Sequence, residues 1–172
     1  MPAAVKITLR PYRREDFEIL YRIDHACYAP EVAYSRADMR AYLGFGGSEC
    51  VVAQIESDPG DGSSESGETN PPNSGIVGFC ICAHRGKDGY IVTMDVLEEY
   101  RRRGIATALL NEIEKRLRDQ GIQRVALETA TDNRAGVAFW QRHGYRTRGI
   151  RKGYYPGGGD AYAMTKTLPS PK

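Results

Sequence analysis

Histidine is scarce in this sequence, with only His25, His84 and His143, and the three are scattered. The four cysteines, Cys27, Cys50, Cys80 and Cys82, never fall at Cys-x-x-Cys spacing, so no metal site is indicated. They are expected to be buried, reduced, small apolar residues, with Cys80 and Cys82 on one face of a strand, rather than a disulfide framework. No apolar run approaches the ~20 residues of a membrane span. The N-terminus has no apolar stretch behind its charge, so a soluble, unprocessed, cytoplasmic protein is expected. The net charge is only +2. The basic run Arg101 to Arg103 has no aromatic platform interleaved with it, so neither nucleic acid nor a membrane is an expected partner. Gly-x-Gly-x-x-Gly and a phosphate loop ending in Gly-Lys-Ser/Thr are also missing, which disfavours those two nucleotide folds.

What is present centres on Tyr90 to Gln120, where the hydrophobic period changes. Tyr90 to Leu97 is short and rich in apolar and β-branched residues, as in a strand, whereas Ile105, Leu109, Ile113 and Leu117 recur at helical spacing. At the join, Arg101-Arg102-Arg103-Gly104-Ile105-Ala106-Thr107, glycine and small residues meet the first helical turn. Its unpaired N–H groups and roughly half a positive charge suit a diphosphate, though an ordinary helix start with a solvated basic run would read the same way.

These residues resemble the signature of the GNAT superfamily of acetyl-CoA-dependent N-acetyltransferases, Arg/Gln-x-x-Gly-x-Gly/Ala, matched by Arg101, Gly104 and Ala106. Asp132-Asn133-Arg134-Ala135, Phe139 to Tyr145, and Arg151 to Pro156 running on to Asp160-Ala161-Tyr162-Ala163-Met164 resemble its RimI-type branch, which acetylates protein N-termini. The resemblance spans roughly residues 5 to 168. It implies an α/β fold with a mixed central sheet of about seven strands, flanking helices, and fourth and fifth strands that splay to admit acetyl-CoA.

The length suits a single domain over 1–172. Val5, Ile7 and Leu9 alternate in a first strand ending at Pro11, and Phe17, Leu20, Ile23 and Cys27 share a helical face up to Tyr28. Ser35 followed by Asp38 is a capping-box-like start for a helix through Leu43. Strands are expected at 50–55 and 76–83, flanking a polar stretch at about 56–75 that cannot offset its ordering entropy and is expected to be a mobile insertion. The central helix should carry Glu112–Arg116 and Glu114–Arg118 pairs and end at Gly121. A fifth strand at 125–130, a helix from Arg134 to about His143 capped by Asn133, and strands at 146–151 and 161–167 complete the chain.

Transfer of an acetyl group to an amine needs a base, a donor for the developing oxyanion and a proton for the thiolate. Glu128, expected alone among apolar strand neighbours with its pKa raised by desolvation, is the candidate base. It also matches the catalytic glutamate of the RimI-type proteins; the alternative is a strand-end carboxylate paired with Arg124 or Arg134. Asp95 is the reserve. Trp140 stands where the resembled proteins carry a proton-donating tyrosine, and an indole cannot practically release its proton. It either shapes the pocket or stabilises the thiolate while water protonates it, with Tyr145, Tyr154 or Tyr155 as substitutes.

The resemblance further implies that backbone groups of Met94, Asp95 and Val96 bind the pantetheine, that Arg102, Arg103, Gly104, Ile105, Ala106 and Thr107 hold the pyrophosphate, and that Asn133 contacts the cofactor. A backbone N–H near Val96 is the expected oxyanion donor. Tyr28 and Tyr34, in the connector after the first helix, and Tyr154 and Tyr155, in a glycine-rich and therefore mobile loop, either contact an acceptor peptide or close the core edge. The acceptor is expected to be a protein N-terminal α-amine, as on a ribosomal protein. A lysine, a small-molecule amine, or a CoA-binding module with weak catalysis are the alternatives.

Overall fold

The computed structural model describes residues 5–56 and 75–171; most of the polar insertion expected at 56–75 lies outside them. Strands β1 (Ile7–Pro11), β2 (Ser48–Ile55), β3 (Ile76–Arg85), β4 (Asp88–Val96), β5 (Arg124–Ala130), β6 (Arg146–Arg151) and β7 (Ala161–Thr167) form one sheet. Helices α1 (Phe17–Cys27), α2 (Arg36–Gly44), α3 (Ile105–Asp119) and α4 (Arg134–Arg142) flank it. The order β1-β2-β3-β4-β5-β7-β6 places the last strand inside the sheet, so β6 forms its edge. Every pairing is antiparallel except β4 with β5. That parallel pair requires a crossover, which α3 supplies.

The sheet is covered on both faces. On one, Ile105, Leu109, Leu110, Ile113 and Leu117 of α3 pack with Val51, Cys80, Cys82, Ile91, Val125 and Leu127. On the other, Leu20 and Ile23 of α1 and Met39 of α2 meet Cys50, Val52, Phe79 and Ile81. Each fully buried Leu or Ile contributes roughly 1.5–3 kcal/mol from its apolar area. Cys50, Cys80 and Cys82 are buried and free as expected, but Cys27 is only partly buried.

Local signals act largely where the residues place them. Ser35 accepts from the Asp38 N–H at the start of α2, and its hydroxyl donates to the Asp38 carboxylate, closing the reciprocal cap through side chains. Gly121, with φ +80°, follows the end of α3. Arg116 donates to Glu112 at 2.8 Å, as the i,i+4 spacing requires. Glu114 departs from its expected pairing with Arg118. It is buried, and accepts instead from Tyr145 at 3.0 Å and from Lys166 at 2.8 Å. Position 114 faces the sheet, where only groups from the packed strand layer can neutralise a carboxylate.

The feature that positions the site is a gap in the sheet. β4 and β5 pair only through Asp88↔Arg124, Gly89↔Val125 and Tyr90↔Ala126. Immediately beyond, the register with β3 shifts: Cys82 faces Ile91 but Ile81 faces Thr93, leaving Val92 as the extra residue. Such a bulge bends and twists its strand, and here it coincides with the point where β4 leaves β5.

Candidate active site

The gap opens into a cavity of about 930 Å³ lined by α1, its following connector, β4, β5, α4 and the β6–β7 loop. Most of the residues singled out from the sequence stand around it: Tyr28, Tyr34, Met94, Asp95, Val96, Ala106, Glu128, Asn133, Trp140, Tyr154 and Tyr155. Arg102, Arg103, Gly104, Ile105 and Thr107 lie beside it, at the start of α3.

Three side chains cover the carbonyls of the strand that borders the gap. Tyr34 Oη donates to the Val92 carbonyl at 3.2 Å, Tyr28 Oη to the Met94 carbonyl at 3.4 Å, and Arg101 Nε to the Val96 carbonyl at 2.8 Å. Arg101, whose position opens the glycine motif, is thereby committed to the strand end. The Leu97 N–H donates to Val77 on the β3 side. Strand alternation turns Asp95 the same way, so of the three residues expected to lend backbone groups, Met94 and Val96 face the gap and Asp95 does not. The Asp95 carboxyl is also buried in the layer beneath α1, which removes it as a reserve base within reach of the opening.

α3 begins at Gly104, whose φ of +79° lies in the left-handed region and whose missing Cβ would meet only open space. No side chain caps the helix there. Arg102 also has positive φ, at +59°, and Arg103 lies over the Tyr100 ring at 5.6 Å. Thr107 Oγ1 is 3.2 Å from His143 Nε2, while His143 Nδ1 is 2.8 Å from the Phe139 carbonyl. The carbonyl can only accept, so Nδ1 carries the proton and, in the neutral ring, Nε2 accepts from Thr107.

On the opposite wall Glu128 is not alone among apolar neighbours. Its side chain is 9 % exposed, Arg151 Nε is 2.9 Å from Oε1, and the Tyr90 hydroxyl donates to Oε2. The expected partners are engaged elsewhere or lack contact: Arg124 pairs with Asp88 at 2.8 Å. Tyr154 Oη lies 3.3 Å from Tyr90 Oη, extending the chain of hydroxyls outward. Burial first, and then the Glu128 hydrogen bond, pushes the Tyr90 phenol far above its ordinary range. Sequence reasoning passed over Tyr90 and Arg151. The first is the last residue of β4 paired with β5 before the gap, and the second ends β6 and reaches Glu128 across the intervening β7.

Trp140 is 8 % exposed and meets Phe139 at 5.0 Å and Tyr145 at 5.3 Å, both edge to face. Tyr145 is buried with its hydroxyl on Glu114, so it is no substitute proton donor. Asn133 Oδ1 accepts from the Gly136 N–H at 3.0 Å and is committed to capping α4. The glycine-rich β6–β7 loop, expected to be mobile, carries hydrogen bonds of its own. Asp160 accepts from the Gly153 N–H at 2.9 Å and from Lys152 at 3.0 Å, and Tyr155 N–H donates to the Gly159 carbonyl at 3.0 Å. The hydrogen bond from Gly153 and the Lys152 charge hold the Asp160 carboxyl below its usual range.

The profile of the Acetyltransferase (GNAT) family matches residues 17–145, and the chain belongs to that family. Among curated relatives, an N-alpha-acetyltransferase of Saccharolobus solfataricus is 37 % identical over 83 residues, covering 48 % of this chain and 50 % of the relative. N-alpha-acetyltransferase 30 of Schizosaccharomyces pombe is 36 % identical over 95 residues, 52 % of this chain and 63 % of its own. The chain thus spans between half and two thirds of the length of these two relatives. In fold it is similar to the ribosomal-protein-S18-alanine N-acetyltransferase of Escherichia coli, with TM-score 0.78 and 20 % identity over 97 % of both chains. Arabidopsis thaliana NAA60 in complex with acetyl-CoA is likewise similar, with TM-score 0.76 and 24 % identity over 95 % of this chain and 99 % of that one.

Proposed function

We propose that this protein transfers an acetyl group from acetyl-CoA to the N-terminal α-amine of a protein, in the manner of the RimI-type enzymes. The observation that carries the reading is the placement of a buried, hydrogen-bonded carboxylate, Glu128, opposite the free edge of β4 in the gap between β4 and β5. The names of the relatives, N-alpha-acetyltransferases, support it.

The residues fit acetyl-CoA. Beyond Tyr90 the β4 edge has no partner on β5, which leaves the Met94 N–H for a pantetheine carbonyl and the Val96 N–H for the thioester oxygen. Arg102 to Thr107, at an uncapped helix start with open space at Gly104, suit the pyrophosphate. When bound, acetyl-CoA supplies an activated carbonyl carbon and a thiolate leaving group. A backbone N–H at Val96 donates to the developing oxyanion. Glu128 accepts the proton of the attacking amine, directly or through the Tyr90 and Tyr154 hydroxyls. Trp140 walls the cavity and donates no proton, so water protonates the thiolate, which is adequate for a thiol of pKa about 8.5.

A carboxylate base suits an α-amine. Near pH 7 roughly a tenth of α-amines are already neutral, against fewer than about one lysine in a thousand. Tyr28 and Tyr34, whose hydroxyls are held by β4, offer flat faces to the first residue of such a peptide, and Tyr154 and Tyr155 offer faces and hydroxyls. The test is turnover of acetyl-CoA with a panel of short peptides, each paired with a lysine-containing control whose N-terminus is blocked. Activity abolished by the block is expected; activity that survives it would reassign the acceptor to lysine.

A further inference from the structure

Beneath the gap, on the α1 side, lies a group the proposed chemistry leaves unused. Asp24 of α1 and Asp95 of β4 are 0 % and 1 % exposed, and the two carboxyls lie close enough that each shifts the protonation of the other. One oxygen of each is satisfied: Asp24 Oδ2 accepts from the Tyr34 N–H at 2.7 Å and Asp95 Oδ1 from Thr93 Oγ1 at 2.7 Å. The other two, Asp24 Oδ1 and Asp95 Oδ2, are the buried side-chain oxygens or nitrogens without a hydrogen-bond partner among the described residues. Two bare carboxylates cannot be buried face to face, because each repels the other and neither is solvated. No lysine or arginine among the described residues is paired with either. One proton between the two bare oxygens satisfies both and removes one charge.

We infer that Asp24 and Asp95 form a carboxylic acid–carboxylate pair, with Asp95 Oδ2 donating its proton to Asp24 Oδ1, and that this pair positions the acceptor-side tyrosines Tyr28 and Tyr34. Tyr34 hangs from the pair by its backbone N–H and reaches Val92 by its hydroxyl. Tyr28 caps the same helix α1 and reaches Met94. The pair therefore fastens the connector that walls the acceptor side to the strand that borders the gap. Its role as a positioning device rests on the acetyl-transfer reading; its proton does not.

Beside the pair, the Tyr28 phenol and His25 favour a charged carboxylate on Asp95 and Asp24 respectively, each more weakly than burial opposes it. Burial raises both carboxyls, Asp95 well above the usual range, where the Asp24 charge adds to the effect. From α1 and the connector, burial also pushes the Cys27 thiol up to about 11 and raises the Tyr28 and Tyr34 phenols further. His25 Nε2 is held by the Tyr34 carbonyl at 2.9 Å, and Arg101 is spent on Val96. From the sheet behind, the thiols of Cys50 and Cys80 are raised by burial.

The experiment uses the full chain. Infrared difference spectra of the wild type near neutral pH should contain the C=O stretch of a buried protonated carboxyl, absent in Asp95→Asn, which lacks the proton-bearing group, and shifted in Asp24→Asn, which alters its acceptor. Absence of the band from the wild type, or its persistence in Asp95→Asn, overturns the pair. So does an undiminished dependence of the fold on added divalent cation, which would make the site a cation site. Positioning is read separately, from the KM of the acceptor peptide. Asp24→Ala should raise it about tenfold with coenzyme A affinity unchanged, whereas Asp24→Asn stays within about twofold. Titration of the peptide amine is common to all variants, so the wild-type KM should rise at alkaline pH relative to that of Asp24→Asn. If Asp24→Ala fails to fold, the pH profiles decide alone, and parallel profiles overturn the positioning role. If no peptide is acetylated, the proposed function falls, and the infrared band still decides the pair.

Discussion

Arg151 Nε stands 2.9 Å from Glu128 Oε1, joining the last residue of the edge strand β6 to the middle of β5 across the intervening β7. The candidate base is therefore a carboxyl group held between a guanidinium and the Tyr90 phenol, with lone pairs still available to an incoming amine. Its oxygens, and not a hydrophobic pocket, define what it can accept.

Glu128→Gln should lower kcat/KM for a free N-terminal peptide by about 10²–10⁴, the range of a lost general base, with coenzyme A affinity unchanged. Steady-state kinetics together with calorimetric titration of coenzyme A checks both halves. An unaltered kcat/KM would remove Glu128 from the reaction.

The sequence showed the order and nature of nearly all these elements because each carries its own local signal: a period change at Arg101 to Gly104, caps at Ser35 and Asn133, a stop at Gly121. What it hid depends on neighbours in space. The Glu114 partner is Lys166 rather than Arg118 because the helix face is decided by packing. Tyr90 and Arg151 meet Glu128 only through strand order, and the bulge at Val92 is a property of the β3–β4 pair. Two short 3-10 turns, Arg14–Asp16 and Glu98–Tyr100, carry too few residues to show a period.

Gly104→Ala should be felt mainly by the cofactor. A methyl group costs about 1 kcal/mol at the left-handed φ of +79° and would project into the open space beside the helix start. A fall of about tenfold or more in coenzyme A affinity is expected, with a shift in urea midpoint corresponding to about 1 kcal/mol. Affinity equal to wild type would place the pyrophosphate elsewhere.

Tyr145→Phe leaves Glu114 with Lys166 as its donor, so a loss of about 1.5–3 kcal/mol is expected in urea unfolding, as for a hydrogen bond to a charged group. Lys166→Met removes the counter-charge of a carboxylate that is 9 % exposed and should cost more, about 3–5 kcal/mol. Equal losses would show that the phenol, not the ammonium, compensates the charge.

Stability should fall on both sides of a plateau in pH, for different reasons. Burial would lift the Asp16 carboxyl, but hydrogen bonds from Arg10 and the Arg13 N–H outweigh it and hold it below its ordinary value. Its contribution is therefore present above about pH 4 and lost as pH falls further. Asp16→Asn should flatten that acid limb. Asp24 and Asp95 are raised, so their contribution is complete below about pH 4 and is lost as pH rises through the value of the folded pair. Thermal melts of both Asn variants across pH separate the two limbs; an acid limb unchanged in Asp16→Asn would exclude the Arg10 pair as its source.

The parting of β4 from β5 leaves an unpaired strand in the interior of a sheet, and such an edge invites any stray extended segment to add itself and seed aggregation. Tyr34, Tyr28 and Arg101, seated on the carbonyls of Val92, Met94 and Val96, occupy the acceptors that an intruding strand would need. The edge can then be held open between turnovers without being sticky: half of its hydrogen-bonding capacity is already used, and the half that remains is matched to a ligand offering carbonyls rather than to another β-strand.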